Sequence, residues 1–342
     1  MSGLKHELDA GRRGASVRGV VVAVALLHLA GFAVLALAAT QGVLLFGLAG
    51  LAYLFGLRHA FDIDHIAAID NVTRKLVRDG RRATSVGFAF SLGHSTVVFL
   101  LCLLTALFAR QVNAHMGDIA GLGGVIGTIV SATFLGLIGV LNLQVLRGLW
   151  RQRRMPASDR DATVEALLAR RGVMSRWIGR GYRWVDAGWK MYPVGVAFGL
   201  GFDTATEVAL LGLSATAAQN TLWSPWMIMA LPLLFAAGMT LMDSANGYFM
   251  QRAYGWGQAG AGRRLGFNIA VTAFSVTVAL LVSLLEWGEL IVDQWAPGGW
   301  FARSLALLPS GLMGAAVVLV FLLAWALWYR RHRRAPSVMP TG

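Results

Sequence analysis

The chain alternates between long apolar stretches and short polar connections that are mostly basic. A helix needs about 20 apolar residues to cross the hydrocarbon core of a bilayer. About eight stretches meet this requirement, and they run near 19–40, 43–69, 85–109, 121–146, 191–217, 226–250, 266–286 and 308–329. The pattern predicts an all-α fold, a polytopic membrane bundle of about eight transmembrane helices.

The composition agrees with a chain that lies in a lipid bilayer. Hydrophobic residues make up 56% of the chain and charged residues 14%, whereas soluble domains carry about 25% charged residues. The net charge of +13 comes from short basic blocks between apolar stretches, so we expect no nucleic acid partner. The single cysteine, Cys102, excludes a disulfide framework and a metal site built from several thiolates.

The distribution of Lys and Arg predicts how the helices are oriented. Cytoplasmic connections of membrane proteins carry an excess of these residues. If the N-terminus is cytoplasmic, the basic residues fall on the inner side; they are Arg12, Arg13, Arg18, Arg74, Lys75, Arg78, Arg81, Arg82, Arg252, Arg263, Arg264, those of 147–190 and those from Arg330 to Arg334. We therefore expect both termini in the cytoplasm and the protein in the cytoplasmic (inner) membrane.

The long polar connection 147–190 divides the chain into two membrane halves, 1–146 and 191–342, with a basic tail at the end. At the N-terminus, an apolar run near 20–38 could belong to a cleavable signal peptide or to a retained span. The run exceeds the usual 7 to 15 residues of a signal peptide, so we favour a retained span. The outer connection 286–309 holds Glu286, Glu289 and Asp293, which either attract cations or are ordinary solvated loop charges.

The stretch 58–71 places ionisable groups at the end of an apolar run. It contains His59, Asp62, Asp64, His65 and Asp70. A charged side chain near the bilayer centre costs roughly 2.5 to 3.5 kcal/mol on insertion scales, so such a group requires cations, water or a metal ion as partners. Imidazole and carboxylate groups together suit a divalent metal such as nickel, cobalt, zinc or manganese.

Other predicted spans carry further polar groups, namely His94, Asp203, Glu207 and Asp243. Counting the helical rise from the cytoplasmic ends places the histidines at 59, 65 and 94 and the aspartates at 203 and 243 roughly 8 to 18 Å deep. Spans of alternating direction thus bring these groups to one layer. The sequence predicts a single metal site inside the membrane.

Helical spacing leaves several roles open. His59, Asp62 and His65 follow i, i+3 spacing on one helical face, whereas Asp64 points elsewhere on a regular helix. Either the helix is broken near Gly56, or some of these residues orient an imidazole that binds the ion.

The other acidic and histidine residues also have more than one interpretation each. Asp203 and Glu207 have three possible roles: they form a second carboxylate site for the ion, they carry a proton that is coupled to transport, or they pair with a cation such as Arg58. His94 is a ligand or a hydrogen-bonded structural histidine, and Asp243 is a ligand or packs against Ser and Thr. His28, inside the first span, is a pathway residue or is hydrogen-bonded within the bundle.

The stretch Arg58-His59-Ala60-Phe61-Asp62-Ile63-Asp64-His65 resembles the His-X4-Asp-His signature of the nickel/cobalt transporter family, the single-component high-affinity permeases. The segments 90–98, 200–208 and 238–243 resemble its remaining signatures. The resemblance implies an eight-span permease that takes up Ni²⁺ or Co²⁺, with His59, Asp64 and His65 as signature residues. The fourth signature commonly continues Asp-Thr-x-Asp-Gly; here Asn246 replaces that second carboxylate, and its carbonyl oxygen can still bind a metal.

These observations predict a secondary transporter and not an enzyme. The sequence lacks a Gly-x-x-x-x-Gly-Lys-Ser/Thr phosphate loop and implies no ATPase subunit. No cofactor is expected, because the divalent ion is the substrate. We assign metal binding to His59, Asp62, Asp64, His65, His94, Asp203, Glu207 and Asp243, and orientation or selectivity to His28, Arg58, Phe61, Asp70, Asn71 and Asn246.

Two other functional classes remain as alternatives at this stage. A proton-coupled carrier of an organic solute could use Asp203, Glu207 and His94 as a proton relay. An intramembrane metallohydrolase would also need buried histidines and carboxylates, but the His-Glu-x-x-His motif is absent from the sequence.

Overall fold

The computed structural model describes residues 16–38, 43–108, 116–153, 184–201, 205–219, 224–257 and 261–295, with the isolated positions 316 and 319. It is 90% helical, and the described residues contain no strand. The predicted all-α class is therefore confirmed. The predicted span 308–329 and most of the 147–190 connection lie outside the described residues.

The helices follow the apolar stretches of the sequence. In chain order they are α1 (Val17–Ala38), α2 (Val43–His59), α3 (Ile63–Arg78), α4 (Val86–Leu107), α5 (Met116–Arg153), α6 (Met191–Gly199), α7 (Ala205–Ala218), α8 (Pro225–Ile228), α9 (Ala230–Gly257) and α10 (Ala261–Trp295). Within the described chain, α1, α4, α5 and α10 each contain a segment long and apolar enough to cross a membrane, as does Pro225–Tyr254 of α8 and α9. The apolar parts of α2 and α7 are shorter.

Two of the predicted spans are interrupted. The span predicted near 43–69 is broken, which was one of the two interpretations that the sequence left open; α2 ends at His59 and α3 begins at Ile63. Asp62, between them, has an extended backbone with φ −65° and ψ 139°, which ends helical hydrogen bonding. The span predicted near 191–217 likewise consists of two helices, since α6 ends at Gly199 and α7 begins at Ala205.

Helix α9 is the centre of the bundle and packs against α1, α2, α3 and α4. Close approach of the backbones depends on glycine: a Cβ atom at Gly56 of α2 would overlap the Phe235 carbonyl of α9, and one at Gly87 of α4 would overlap the Asp243 carbonyl. Small residues at such crossings are typical of helix packing in membranes. Helices α5 and α10 pack chiefly against each other.

The surface of α1 supports a lipid environment. Val21, Leu26, Leu29 and Leu37 of this helix are exposed, whereas a soluble protein rarely exposes so large a contiguous apolar face. The polar helix α3 shows the opposite arrangement, because 13 of its 16 residues are buried. Its charged residues Asp70, Arg74 and Lys75 are therefore enclosed by protein and kept away from lipid.

A network of buried hydrogen bonds holds the second half of α3 in place. Asp70 accepts hydrogen bonds from the hydroxyls of Tyr254 in α9 and Ser275 in α10, the latter at 2.7 Å. The Asn142 amide of α5 donates to Asn71 Oδ1 at 2.8 Å. Asp70 and Asn71 thus contact α5, α9 and α10. These contacts fix the position of α3 and so of its first turn.

The end of α3 is also tied to the segment that leads into α6. Lys75 Nζ donates to the Val185 carbonyl at 2.5 Å, and Lys190 Nζ lies 2.7 Å from Asp186 Oδ1. The hydrogen bond from Lys190 holds the pKa of the Asp186 carboxyl below its ordinary value. The Lys75 contact thus joins α3 to the segment that leads into the second predicted half.

Candidate metal centre

Three buried histidines meet where α2, α3 and α4 converge. His59 is the last residue of α2, His65 lies in the first turn of α3, and His94 lies in α4. Their ring centroids are 4.5 Å (His59 to His65), 4.8 Å (His59 to His94) and 4.9 Å (His65 to His94) apart. None of the three side chains is more than 3% exposed.

One carboxylate completes this cluster. Glu207 Oε1, from the first turn of α7, lies 2.7 Å from His94 Nε2 and 3.8 Å from His59 Nε2, and the two Nε2 atoms are 3.1 Å apart. Two nitrogens that bind one metal ion at about 2.1 Å are about 3 Å apart when they subtend a right angle. The spacing of these three atoms therefore suits a shared ion. One nitrogen from each histidine lies within 4.8 Å of those of the other two.

Two contacts to Nδ1 fix the orientation of the His59 ring. Its Nδ1 lies 2.9 Å from Asp62 Oδ2 and 3.2 Å from Thr206 Oγ1. Since a carboxylate accepts, Nδ1 carries the proton, and the Nε2 lone pair is left to face His94 and Glu207. Asp62 occupies the N-cap position of α3 but makes no side-chain cap hydrogen bond, because its carboxylate contacts His59.

His65 has a carboxylate partner of the same kind. Its Nδ1 lies 3.3 Å from Asp243 Oδ2 in α9, and the same oxygen accepts a 2.5 Å hydrogen bond from Ser91 Oγ. Asp243 is completely buried. The close crossing of α9 and α4 at Gly87 places this carboxylate beside His65.

A small cavity, with room for about one water molecule or metal ion, adjoins the histidines. Its lining includes His59, Asp64, His94 and Glu207, with Gly127 and Ser131 of α5 on the opposite wall. Asp64, expected to point away on a regular helix, thus shares this cavity with two of the histidines. The reason is the interruption of the helix at 60–62, so that the spacing of a regular helix does not apply between His59 and Asp64.

Several buried polar atoms of the cluster lack a hydrogen-bond partner among the described residues. They are His65 Nε2, His94 Nδ1 and Asp243 Oδ1. Buried polar groups in proteins are nearly always bonded to protein, water or an ion. A water molecule or a cation is therefore expected at this position.

The remaining predicted residues lie at different places. Asp203 lies outside the described residues. Glu207 was predicted to form a second carboxylate site with Asp203 or to pair with Arg58. It lies instead in the histidine cluster. The Arg58 side chain is exposed. The break between helices occurs at 60–62 and not at Gly56, and Phe61, within it, is partly buried.

Four residues assigned to orientation or selectivity also have defined surroundings. His28 bonds the Val24 carbonyl at 2.8 Å and lies 3.3 Å from the Tyr53 hydroxyl, as in the interpretation of a histidine hydrogen-bonded within the bundle. Asp70 and Asn71 belong to the network that anchors α3. Asn246 lies one turn after Asp243 in α9.

Sequence reasoning gave no role to three hydroxyl residues near the histidines. Thr206 contacts His59, Ser91 contacts Asp243, and Ser131 lines the cavity. Serine and threonine are common in membrane helices, so their types carry no distinguishing signal. Only the positions of Ser91 and Thr206, next to signature residues, could have indicated them.

The fold and the cluster define a polytopic helical membrane protein with imidazole and carboxylate groups buried together between its helices. Residues 45–331 match the family model described as "NicO: High-affinity nickel-transport protein". The chain belongs to this family, which is a family of transporters and not of enzymes. The resemblance inferred from the signatures is thereby confirmed.

Several curated proteins are similar to the chain over most of its length. The nickel transporter NixA of Staphylococcus aureus is 41% identical over 89% of this chain and 90% of its own. The nickel transporter NicT of Mycobacterium tuberculosis is 49% identical, covering 81% and 76%. The cobalt transport protein NhlF of Rhodococcus rhodochrous is 42% identical, covering 92% and 90%. No solved structure matches the chain significantly.

Proposed function

We propose that this protein takes up Ni²⁺ or Co²⁺ across the cytoplasmic membrane as a secondary transporter. The observation that carries the proposal is the convergence of His59 Nε2, His94 Nε2 and Glu207 Oε1 within 2.7 to 3.8 Å of one another in a buried cavity. Relatives named as nickel and cobalt transporters support the same substrates. Both ions accept imidazole nitrogen and carboxylate oxygen.

Within this proposal the residues fall into two groups. His59, His94, His65 and Glu207 bind the dehydrated ion, and Asp64 contributes negative charge to the cavity. Asp62 and Asp243 hold His59 and His65 through their Nδ1 atoms, as carboxylates do behind metal-binding histidines. The N-terminal half thus provides the imidazoles, and the C-terminal half provides Glu207 and Asp243.

The size of the cavity favours an ion over an organic solute. Pockets for organic ligands occupy about 300 to 1,000 Å³, whereas this cavity has room for about one water molecule or metal ion. A dehydrated divalent ion fits this space. The cavity therefore gives the organic-solute alternative no support.

The membrane potential is a sufficient energy source for this transport. Moving two positive charges inward through 100 mV releases about 4.6 kcal/mol, which corresponds to an accumulation of about a thousandfold or more. No ATPase subunit is required for such a gradient. The ion leaves toward the cytoplasm after the bundle rearranges around the site, as in other secondary transporters.

Uptake into proteoliposomes tests this proposal. With an inside-negative potential, the parent protein is expected to accumulate labelled Ni²⁺ or Co²⁺, each competing with the other. His59→Ala is expected to abolish this uptake, because it removes a nitrogen from the cluster, whereas His28→Ala retains it, because His28 contacts Val24 and Tyr53. Accumulation of neither ion by the parent, or normal uptake by His59→Ala, would contradict the proposal.

A further inference from the structure

One hydroxyl group of α5 shares the cavity with the histidine cluster. Ser131 lines the cavity and is 4% exposed. The same cavity is lined by His59, His94 and Glu207. Because it has room for about one water molecule or metal ion, an ion bound to the imidazoles has the Ser131 side chain beside it. The other lining residue of α5, Gly127, has no side chain.

The hydrogen bond of Ser131 differs from those of several other hydroxyl residues in the membrane helices. These donate to the carbonyl four residues earlier in their own helix, and they are Thr96, Thr216, Thr240 and Thr277. Ser131 Oγ instead donates to Glu286 Oε1 of α10 at 2.8 Å, and it makes no other hydrogen bond among the described residues. A carboxylate of a neighbouring helix thus accepts the hydroxyl proton.

This hydrogen bond leaves the oxygen of Ser131 able to act as an electron-pair donor. A hydroxyl group has one proton and two lone pairs. A hydrogen bond to a charged carboxylate is stronger than one to a neutral group, and it polarises the hydroxyl so that its oxygen becomes a better donor. No N–H or O–H group of the described chain donates to Ser131 Oγ, so its lone pairs are available to an occupant of the cavity.

Packing between α5 and α10 fixes Ser131 and Glu286 relative to each other. One turn before Glu286, Ser283 Oγ donates to the Ala132 carbonyl of α5 at 2.7 Å. A Cβ atom at Gly136 would lie 2.7 Å from Ser283 Oγ, so the two helices are in close contact there. Glu286 lies within α10 and is partly buried, and this helix pair determines which side chain it contacts.

We infer that Ser131 Oγ is an additional oxygen ligand of the transported ion and that it favours Ni²⁺ or Co²⁺ over Zn²⁺. The inference rests on the proposed function of the histidine cluster. Zn²⁺ prefers tetrahedral sites with few ligands, and the number and geometry of the ligands, more than raw affinity, separate the first-row ions. An oxygen from Ser131, added to the three imidazoles and Glu207, raises the number of ligands beyond that of a tetrahedral site without adding charge. Glu286 is then a positioning residue, which acts on the ion through Ser131.

Equilibrium binding of Ni²⁺ and of Zn²⁺ to the purified full-length protein tests this inference with Ser131→Ala. Loss of the oxygen is expected to weaken Ni²⁺ binding about tenfold, as for the loss of one polar partner of a buried ion. Zn²⁺ binding is expected to change less than about threefold, because a tetrahedral shell remains. The preference for Ni²⁺ over Zn²⁺ should therefore fall.

The visible spectrum of bound Co²⁺ reports the coordination number directly. Tetrahedral Co²⁺ absorbs visible light much more strongly than Co²⁺ with more ligands, because its d–d transitions are less strictly forbidden. Ser131→Ala loaded with Co²⁺ should therefore absorb more strongly than the parent, as expected for a shell that has lost an oxygen ligand. A merely structural role of Ser131 would leave this spectrum unchanged.

Ser283→Ala is the matched control. Ser283 is also buried, at 6% exposure, in the contact between α5 and α10, but it donates to a backbone carbonyl and is not among the residues that line the cavity. Its ion preference and its Co²⁺ spectrum are expected to equal those of the parent. Ser131→Cys is a second test variant with a side chain of similar shape, and its soft sulfur should shift the preference toward Zn²⁺.

The outcomes separate this inference from the proposed function. If Ser131→Ala and Ser131→Cys kept the ion preference of the parent, or if Ser283→Ala changed the preference and the spectrum as much as Ser131→Ala, the inference alone would be overturned. A parent protein that binds neither Ni²⁺ nor Co²⁺ would overturn the proposed function as well.

Discussion

At the scale of single residues, two kinds of group differ in role: those that face the space between the histidines, and those that orient these histidines by hydrogen bonds. His59 presents Nε2 to His94 and Glu207, while Asp62 and Thr206 contact its other nitrogen. An imidazole with a fixed tautomer and direction loses less freedom when it binds an ion. Asp62 thus acts on the substrate through His59.

Replacing Asp62 by asparagine tests this division of roles. Asp62→Asn keeps the shape of the side chain but weakens the acceptor for His59 Nδ1, so Ni²⁺ affinity is expected to fall about 10- to 100-fold. Isothermal titration calorimetry of the purified protein measures this change.

Asp186→Asn is the control for the aspartate substitution, because Asp186 pairs with Lys190 away from the histidines. The Asp186→Asn variant is expected to bind Ni²⁺ with the same affinity as the parent protein. If Asp62→Asn bound Ni²⁺ as tightly as the parent, Asp62 would have no part in orienting His59.

Much of the residue-level site could be predicted from the sequence. A buried histidine or carboxylate in an apolar helix is expensive, so His59, His65, His94 and Asp243 stand out by type, and counting helical rise places them in one layer. The separate roles of Asp62 and Asp64 could not be deduced, because they depend on a turn of three residues. That turn brings Asp62 onto His59 Nδ1 and aligns Asp64 with the cavity.

At the scale of helices, the site depends on short interruptions and close crossings. α2 ends and α3 begins at the histidines, so two helix ends meet inside the bundle. α9 approaches α4 closely enough at Gly87 to place Asp243 near His65 and Ser91. A larger residue at this crossing would separate the carboxylate from its partners.

Gly87→Ala is therefore expected to destabilise the protein and to impair uptake. The added methyl group would overlap the Asp243 carbonyl, and overpacking of this kind costs about 1 to 3 kcal/mol. Thermal unfolding in detergent should show a midpoint lower by roughly 2 to 5 °C.

Gly47→Ala in α2 is the matched control, since a Cβ atom there meets nothing within 4 Å. Its unfolding midpoint should equal or slightly exceed that of the parent, because alanine favours helix. Equal midpoints for Gly87→Ala and Gly47→Ala would contradict the close crossing of α4 and α9.

Helix existence was predictable, and helix continuity was not. Apolar residues run on both sides of 60–62 and of Gly201, so a hydropathy window treats each region as one span. The break at 60–62 arises from the extended backbone of Asp62 and from its bond to His59, and the latter is a tertiary contact. Gly56 indicated a possible break in the first region without locating it at 60–62.

At the scale of the whole molecule, the cavity lies between two structural units. α2, α3, α4, α7 and α9 carry the histidines and the acidic groups beside them, whereas α5 and α10 pack mainly on each other and α5 provides the wall that bears Ser131. The buried bonds of Asp70 and Asn71 join the pair to α3. These bonds lie between the histidines and the predicted cytoplasmic end of α3.

The central claim is that imidazoles from several membrane helices bind one divalent ion. X-ray absorption at the nickel edge, on purified protein loaded with one equivalent of Ni²⁺, tests it most directly. We predict a first shell of nitrogen and oxygen at about 2.0 to 2.1 Å that includes about three imidazoles, with one fewer in His94→Ala. A spectrum with oxygen ligands alone, unchanged by His94→Ala, would contradict the account.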